Sequence, residues 1–194
     1  DGTVTATCDI TVVEVGDLAY GYSVTDGSWV SFDLSSPDQL TKVADGDEIV
    51  CATYADGLVY AYLKGGKQLV KFDPDTVVNG SYVYETVGAA QKSTIIKDIA
   101  YDKKAGKLYG ISMNKMFEID MATGAQTALY SGFYFGVTGM MLYTMASDDA
   151  GTIYAISSLG ALCSLDQTTG CGEYVIDKNT KLDGTSLNGS NNSM

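Results

Sequence analysis

Nineteen aspartates and five glutamates, against twelve lysines and neither arginine nor histidine, decide which chemistry this chain can carry. Close carboxylates occur at Asp45/Asp47/Glu48, Asp73/Asp75 and Asp148/Asp149. Such pairs could form an oxygen-ligand calcium loop or an acid/base pair. None follows the D-x-[DN]-x-[DN]-G spacing with its distal Glu, and solvated turn residues explain them better. A serine nucleophile needs a partner base, and the commonest one, histidine, is absent. There is no G-x-G-x-x-G and no P-loop. The expectation is therefore no catalytic residue, no metal and no cofactor, in a protein that is not an enzyme.

The four cysteines, Cys8, Cys51, Cys163 and Cys171, form no C-x-x-C, which leaves a zinc or thioredoxin-like reading little support. Cys163 and Cys171 flank a turn where a disulfide is geometrically demanding, and a buried thiol at Cys163 fits better. The net charge of −12 repels nucleic acid and anionic membranes. Without arginine there is no guanidinium fork for phosphate. No apolar run reaches the ~20 residues of a membrane helix. No nucleic-acid partner and no membrane insertion are expected.

The elements that carry these residues repeat. The copies are LAYGYSVTDGSWVSFDL (Leu18–Leu34), LVYAYLKGGKQLVKFDP (Leu58–Pro74), KLYGISMNKMFEIDM (Lys107–Met121) and TIYAISSLGALCSLDQ (Thr152–Gln167). Their tyrosines, Tyr20, Tyr60, Tyr109 and Tyr154, are 40, 49 and 45 residues apart. Their aspartates are Asp33, Asp73, Asp120 and Asp166, placed to bond the amides of the following turn. A repeat of about 40–50 residues made of short strands is the signature of β-propeller blades. The predicted fold is an all-β propeller with four four-stranded blades over 15–177, either a small propeller or part of a larger one.

The third repeat predicts strands at Ile95–Asp102, Lys107–Ser112, Lys115–Asp120 and Ala125–Tyr130. The fourth predicts Leu142–Asp148, Thr152–Ser157, Ala161–Asp166 and Cys171–Ile176. The second predicts Glu48–Tyr54, Leu58–Tyr62, Gln68–Asp73 and Ser81–Val87. The first predicts Cys8–Val15, Leu18–Tyr22, Ser28–Asp33 and Gln39–Val43. Third-strand columns Phe32/Phe72/Ile119/Leu165 and Val30/Val70/Phe117/Cys163 are apolar, and so is the opposite column Trp29/Leu69/Met116/Leu162. Strands apolar on both faces belong between two layers. The small column Gly21/Ala61/Gly110/Ala155 permits close approach of neighbouring sheets.

The turns IDMATG (Ile119–Gly124) and LDQTTG (Leu165–Gly170) resemble the L-D-x-x-T-G turns of quinoprotein-like and YVTN-type bacterial propellers. KLYGIS and TIYAIS resemble the L-Y-A-I strand of those repeats, and the likeness runs from about Asp17 to Ile176. It implies a blade and leaves the ligand open. Quinoprotein propellers also carry tryptophan-docking motifs and basic residues around the cofactor. One Trp and no Arg argue against quinone binding here. DGTVTATCDITVVE (Asp1–Glu14) resembles the last strand of a bacterial group 2 immunoglobulin-like domain. That implies a longer secreted or surface protein. The competing reading of 1–14 is the first blade's inner strand. Residues 178–194 read as a connector towards a further blade.

The functional expectation is a non-catalytic extracellular or cell-surface module of a bacterial protein, binding a glycan or protein or serving adhesion. The alternatives are a propeller-scaffold lyase or hydrolase, and a structural spacer. The ligand is expected on the face carrying the turns between second and third strands and the connector Ser131–Met141. That connector holds GFYFG, and three aromatics in a row cannot all point inward. Trp29, Phe133, Tyr134 and Phe135 are the candidate binding residues. Self-association through an open blade face is expected as well.

Overall fold

The computed structural model describes residues 18–113, 115–129, 141–168 and 172–176. Their regular structure is entirely β, with no helix among them. The first repeat gives β1 (Leu18–Ser23), β2 (Ser28–Asp33) and β3 (Ser36–Asp45). The second gives β4 (Ile49–Ala55), β5 (Leu58–Leu63) and β6 (Leu69–Phe72), then the short β7 (Val77–Val78), β8 (Ser81–Tyr82) and β9 (Glu85–Thr86). The third gives β10 (Asp98–Asp102), β11 (Lys107–Ser112), β12 (Lys115–Ile119) and β13 (Gln126–Ala128). The fourth gives β14 (Leu142–Ser147), β15 (Ile153–Ser157), β16 (Leu162–Leu165) and β17 (Gly172–Ile176).

They form four sheets, three of four strands and one of five. The third and fourth are plain antiparallel meanders in chain order, β10 to β13 and β14 to β17. Their registers repeat. Gly110 faces Phe117 and Ala155 faces Cys163, as Gly21 faces Val30 and Ala61 faces Val70. The small column therefore lies opposite the apolar third-strand column in every sheet.

The second repeat departs from its expected plan. Ser81–Val87 is not one strand. Ser81–Tyr82 leaves the second sheet and pairs in parallel with β3 of the first, at Asp45↔Ser81. Only Glu85–Thr86 returns to β6 as the outer strand of the second sheet. The hairpin β7–β8 is thus an arm of the second repeat laid on the first sheet. β3 is also longer than the expected Gln39–Val43, and Pro37 falls near its unpaired edge, where a missing N–H breaks no ladder bond.

The core is three seams in series. One holds Trp29 and Ala44 of the first sheet against Phe72 and Tyr82 of the second repeat. The next holds Tyr60, Tyr62 and Leu69 against Ile99, Leu108 and Phe117. The last holds Tyr109, Ile111 and Met116 against Met145, Ala155 and Cys163. Each sheet is covered on the faces that meet its neighbours, which is why its strands are apolar on both sides. Among the described residues no buried cluster joins the fourth sheet to the first.

The turn aspartates are structural. Asp33 Oδ1 accepts from the Ser35 amide at 2.7 Å and Asp73 Oδ1 from the Asp75 amide at 2.8 Å. Asp120 Oδ1 accepts from the amides of Ala122 and Thr123 at 2.9 and 2.8 Å, and Asp166 Oδ1 from Thr168 at 2.7 Å. These donors hold the Asp33 carboxyl below the ordinary range through Ser35, and that of Asp120 through Thr123 and Ala122. Cys51 and Cys163 are buried free thiols, and burial raises both, that of Cys163 to about 11.

Candidate functional site

Propeller-like sheets place their first strands side by side on the inner surface. Here β4, β10 and β14 are those strands, and a groove of about 490 Å³ runs along them. Its floor takes small and polar side chains, among them Ala52, Asp98, Ala100, Thr144 and Ala146. At the C-terminal ends of the same strands lies a cavity of about 290 Å³. It is lined by Tyr54 and Asp56, Tyr101 and Lys103, and Ser147, Asp148 and Asp149. The second, third and fourth sheets each contribute the end of their first strand and the turn that follows.

The local sequence explains each position. Asp56-Gly57 is a two-residue hairpin turn with φ of 49° and 90°, the left-handed geometry that Asp tolerates and Gly prefers. It ends β4 abruptly and leaves the Asp56 carboxylate at the rim. Asp102 Oδ1 accepts from the amides of Lys104 and Ala105, both at 3.0 Å, which shapes the turn carrying Lys103. Asp148 does the same for its own turn, accepting from the amides of Ala150 and Thr152 at 3.0 and 2.8 Å. The Thr152 donor chiefly holds the Asp148 carboxyl below the usual range. Gly151 packs on the buried Asp102, where a Cβ would come 2.8 Å from its carboxylate oxygen.

The inner strands are tied to one another at both ends of the groove. The Tyr101 hydroxyl donates to Asp56 Oδ2 at 2.5 Å, and the Ser147 hydroxyl donates to the Tyr101 carbonyl oxygen. At the other end Asp98 Oδ2 accepts from the Thr144 hydroxyl at 2.5 Å and the Met145 amide at 2.8 Å, and Oδ1 accepts from Ile99 at 2.9 Å. Burial pushes the Asp98 carboxyl above the carboxylate range despite these donors. The bond to Asp56 pushes the Tyr101 phenol upward. Tyr54 is the open element, 63% exposed beside the cavity.

This arrangement offers carboxylate acceptors, one ammonium, hydroxyls and an exposed ring. It does not offer an activated nucleophile. Ser147 gives its proton to a carbonyl, and a raised phenol at Tyr101 is a poor base at neutral pH. Among the described residues no group of three or more His, Cys, Asp or Glu stands close enough to hold one metal ion.

Of the candidate residues named from sequence, Phe133, Tyr134 and Phe135 lie outside the described residues. Trp29 is only 4% exposed. Its ring meets Tyr22, Phe72 and Tyr82 edge-on, and its Nε1 donates to the Tyr84 hydroxyl at 2.8 Å. It seals the seam between the first two sheets and turns no face to solvent. The burial follows from the β7–β8 arm, which brings Tyr82 and Tyr84 over it.

The cavity lies at the turns between first and second strands, the opposite end from the turns expected to face a ligand. Sequence reasoning singled out Asp148/Asp149 as a pair and read it as a turn. It passed over Tyr54, Asp56, Tyr101, Lys103 and Ser147. Their common signal is position, since each ends a first strand or opens the turn before the repeat tyrosine strand.

No family model matches the chain, and no curated protein matches it. Solved structures do. The chain is similar to a chain of the nidogen/laminin complex, with TM-score 0.57 and 11% identity over 84% of this chain and 62% of that one. It is similar to glutaminyl cyclase from Myxococcus xanthus, with TM-score 0.53 and 18% identity over 79% and 72%. A third is an auxiliary nutrient binding protein from Bacteroides ovatus, with TM-score 0.53 and 12% identity over 77% and 37%. Against the extracellular domain of a Bacteroides thetaiotaomicron one-component system the chain spans 22% of the length. At such identities the likeness is one of fold, and that fold is an all-β, propeller-like series of sheets.

Proposed function

We propose that this chain is a non-catalytic binding module of an extracellular or cell-surface protein and that it takes a glycan in the cavity between Tyr54 and Asp149. The observation that carries the reading is the cavity's lining. The second and fourth sheets supply carboxylate acceptors, and the third supplies Tyr101 and Lys103, around one exposed aromatic ring. Sugar hydroxyls are donors that such acceptors take up, and the apolar face of a pyranose stacks on an aromatic plate. The fold alone decides nothing, since a nutrient binding protein and a cyclase are both similar to this chain.

A lyase or hydrolase is the second reading, and Asp98 is the observation in its favour. It is the carboxyl in the groove that burial holds above the ordinary range, as a general acid requires. Its hydrogen bonds to Thr144, Met145 and Ile99 fit a brace between two sheets better. The aromatic run Phe133–Tyr134–Phe135 remains a proposed second location, supported by its composition. The first sheet leaves Leu18, Tyr20, Leu34 and Leu40 exposed, which supports self-association through it.

The test is a glycan array followed by calorimetry on each hit. A Tyr54→Ala variant that folds normally should lose about tenfold in affinity or more. Binding that survives this change places the site elsewhere, and steady glycan cleavage abolished by Asp98→Asn replaces the binding reading with the enzyme one.

A further inference from the structure

We propose that the sugar taken by this cavity carries a free, protonated amino group. The inference rests on the glycan reading above and concerns the same site. Lining carboxylates Asp56, Asp148 and Asp149 face a single cation, Lys103, with the Tyr54 ring beside them. Their acceptor capacity is unevenly committed. Asp148 gives Oδ1 to two turn amides and Oδ2 to the Tyr154 hydroxyl at 3.4 Å. Asp56 gives Oδ2 to Tyr101. Asp149 accepts no hydrogen bond from the described residues and is exposed. Among the described residues nothing donates to Asp56 Oδ1 or to either oxygen of Asp149, and the exposed Tyr54 ring lines the same cavity.

A neutral hydroxyl satisfies an acceptor but leaves the excess negative charge of the cavity in place. An ammonium group is a compact charge with several donors. It can meet carboxylate oxygens on one side and an aromatic face on the other. Tyr54 and Asp149 line the same cavity and supply one of each. The net charge of −12 draws cations toward the molecule at large, whereas the ring acts only on what reaches the cavity. Lys103 has no ion-pair partner among the described residues. It repels a ligand amine and limits how much positive charge the cavity takes.

The experiment is calorimetry with a short glucosamine oligomer, its fully N-acetylated counterpart, a neutral glucose oligomer and spermine, at mildly acidic pH and at low and physiological salt. The glucosamine oligomer should bind on the order of tenfold tighter than the acetylated one, with the gap narrowing as salt rises. Tyr54→Ala should remove most of the gap without changing net charge. Lys103→Ala should tighten the glucosamine oligomer by more than it changes the neutral ones. If acetylated and free oligomers bind equally and both weaken with Tyr54→Ala, the amine inference fails and the glycan reading stands. If no oligosaccharide binds, both fail. Spermine binding as tightly as the glucosamine oligomer, and indifferent to Tyr54→Ala, reduces the effect to unspecific charge attraction and overturns the inference.

Discussion

The Tyr101 hydroxyl reaches across 2.5 Å to Asp56 Oδ2, linking the inner strand of the third sheet to the first turn of the second. The bond fixes one wall of the cavity and commits one carboxylate oxygen. Tyr101→Phe removes the donor and keeps the ring. The acceptor is a carboxylate that water also solvates, so the net contribution of the bond is small. The expected result is a small drop in denaturation midpoint and a freer Asp56. A midpoint equal to wild type shows that water replaces the phenol without cost.

Asp98 braces the third sheet against the fourth, and its carboxyl is held high by burial. Asp98→Ala strips three donors of their acceptor and should cost about 2–3 kcal/mol. Its titration runs opposite to that of the turn aspartates. A raised folded pKa means a contribution to stability that is full below the unfolded value and is lost as pH rises through the folded one. The lowered carboxyls of Asp33, Asp120 and Asp148 contribute above their unfolded value of 3.8, and that contribution is lost as pH falls through their folded values. Thermal melts should therefore fall below about pH 4. The advantage of wild type over Asp98→Asn should grow as pH drops from neutral toward that point. A constant advantage across the range contradicts the raised carboxyl.

Gly124 and Gly106 share left-handed backbone, with φ of 68° and 65°, but not surroundings. A Cβ on Gly124 would lie 2.5 Å from the Val87 carbonyl oxygen, whereas one on Gly106 would meet nothing within 4 Å. Alanine at Gly106 should cost the left-handed penalty alone, about 1 kcal/mol. Alanine at Gly124 should cost that and also push the third sheet's turn off the second repeat. Equal losses in urea midpoint for the two variants refute the close approach.

Much of this architecture was legible in the repeats. Aligning the tyrosines and aspartates separated the small column from the apolar third-strand column, and the structure sets the two opposite each other, Gly110 with Phe117 and Ala155 with Cys163. The β7–β8 arm was not legible. Ser81–Val87 alternates like one strand, and alternation does not say which sheet a segment joins. The error hid the fate of Trp29, whose enclosure depends on Tyr82 and Tyr84 arriving on that arm. The cavity was missed for a different reason. Its residues come from first-strand ends of three sheets and are scattered in sequence, whereas Phe133, Tyr134 and Phe135 are consecutive.

Trp29 offers a direct measure of the first seam. Truncation to Ala at such a site costs about 3–5 kcal/mol, whereas Trp29→Phe keeps the aromatic contacts and loses the bond to Tyr84. Trp29→Ala should unfold the first sheet and the arm, and Trp29→Phe should remain folded with a modestly lower midpoint. As the single tryptophan, Trp29 should also show blue-shifted emission that moves red as the seam opens. Red-shifted emission from the folded protein contradicts its enclosure.

Two tyrosines separate the two proposed binding surfaces. Tyr54 stands at the first turns, 63% exposed beside the cavity, and Tyr134 belongs to the connector between the third and fourth repeats. A glycan seated in the cavity loses its stacking partner in Tyr54→Ala, so affinity should fall about tenfold while the melting temperature stays within a degree or two of wild type. Tyr134→Ala should leave that affinity unchanged, because Tyr134 is not among the residues that line the cavity. The reverse pattern, with Tyr134→Ala abolishing binding and Tyr54→Ala tolerated, moves the site to the aromatic run. Loss in both variants together with a lowered melting temperature in each points to the fold, and a Tyr54→Phe variant then decides. It keeps the ring and should restore binding if stacking is what the cavity supplies.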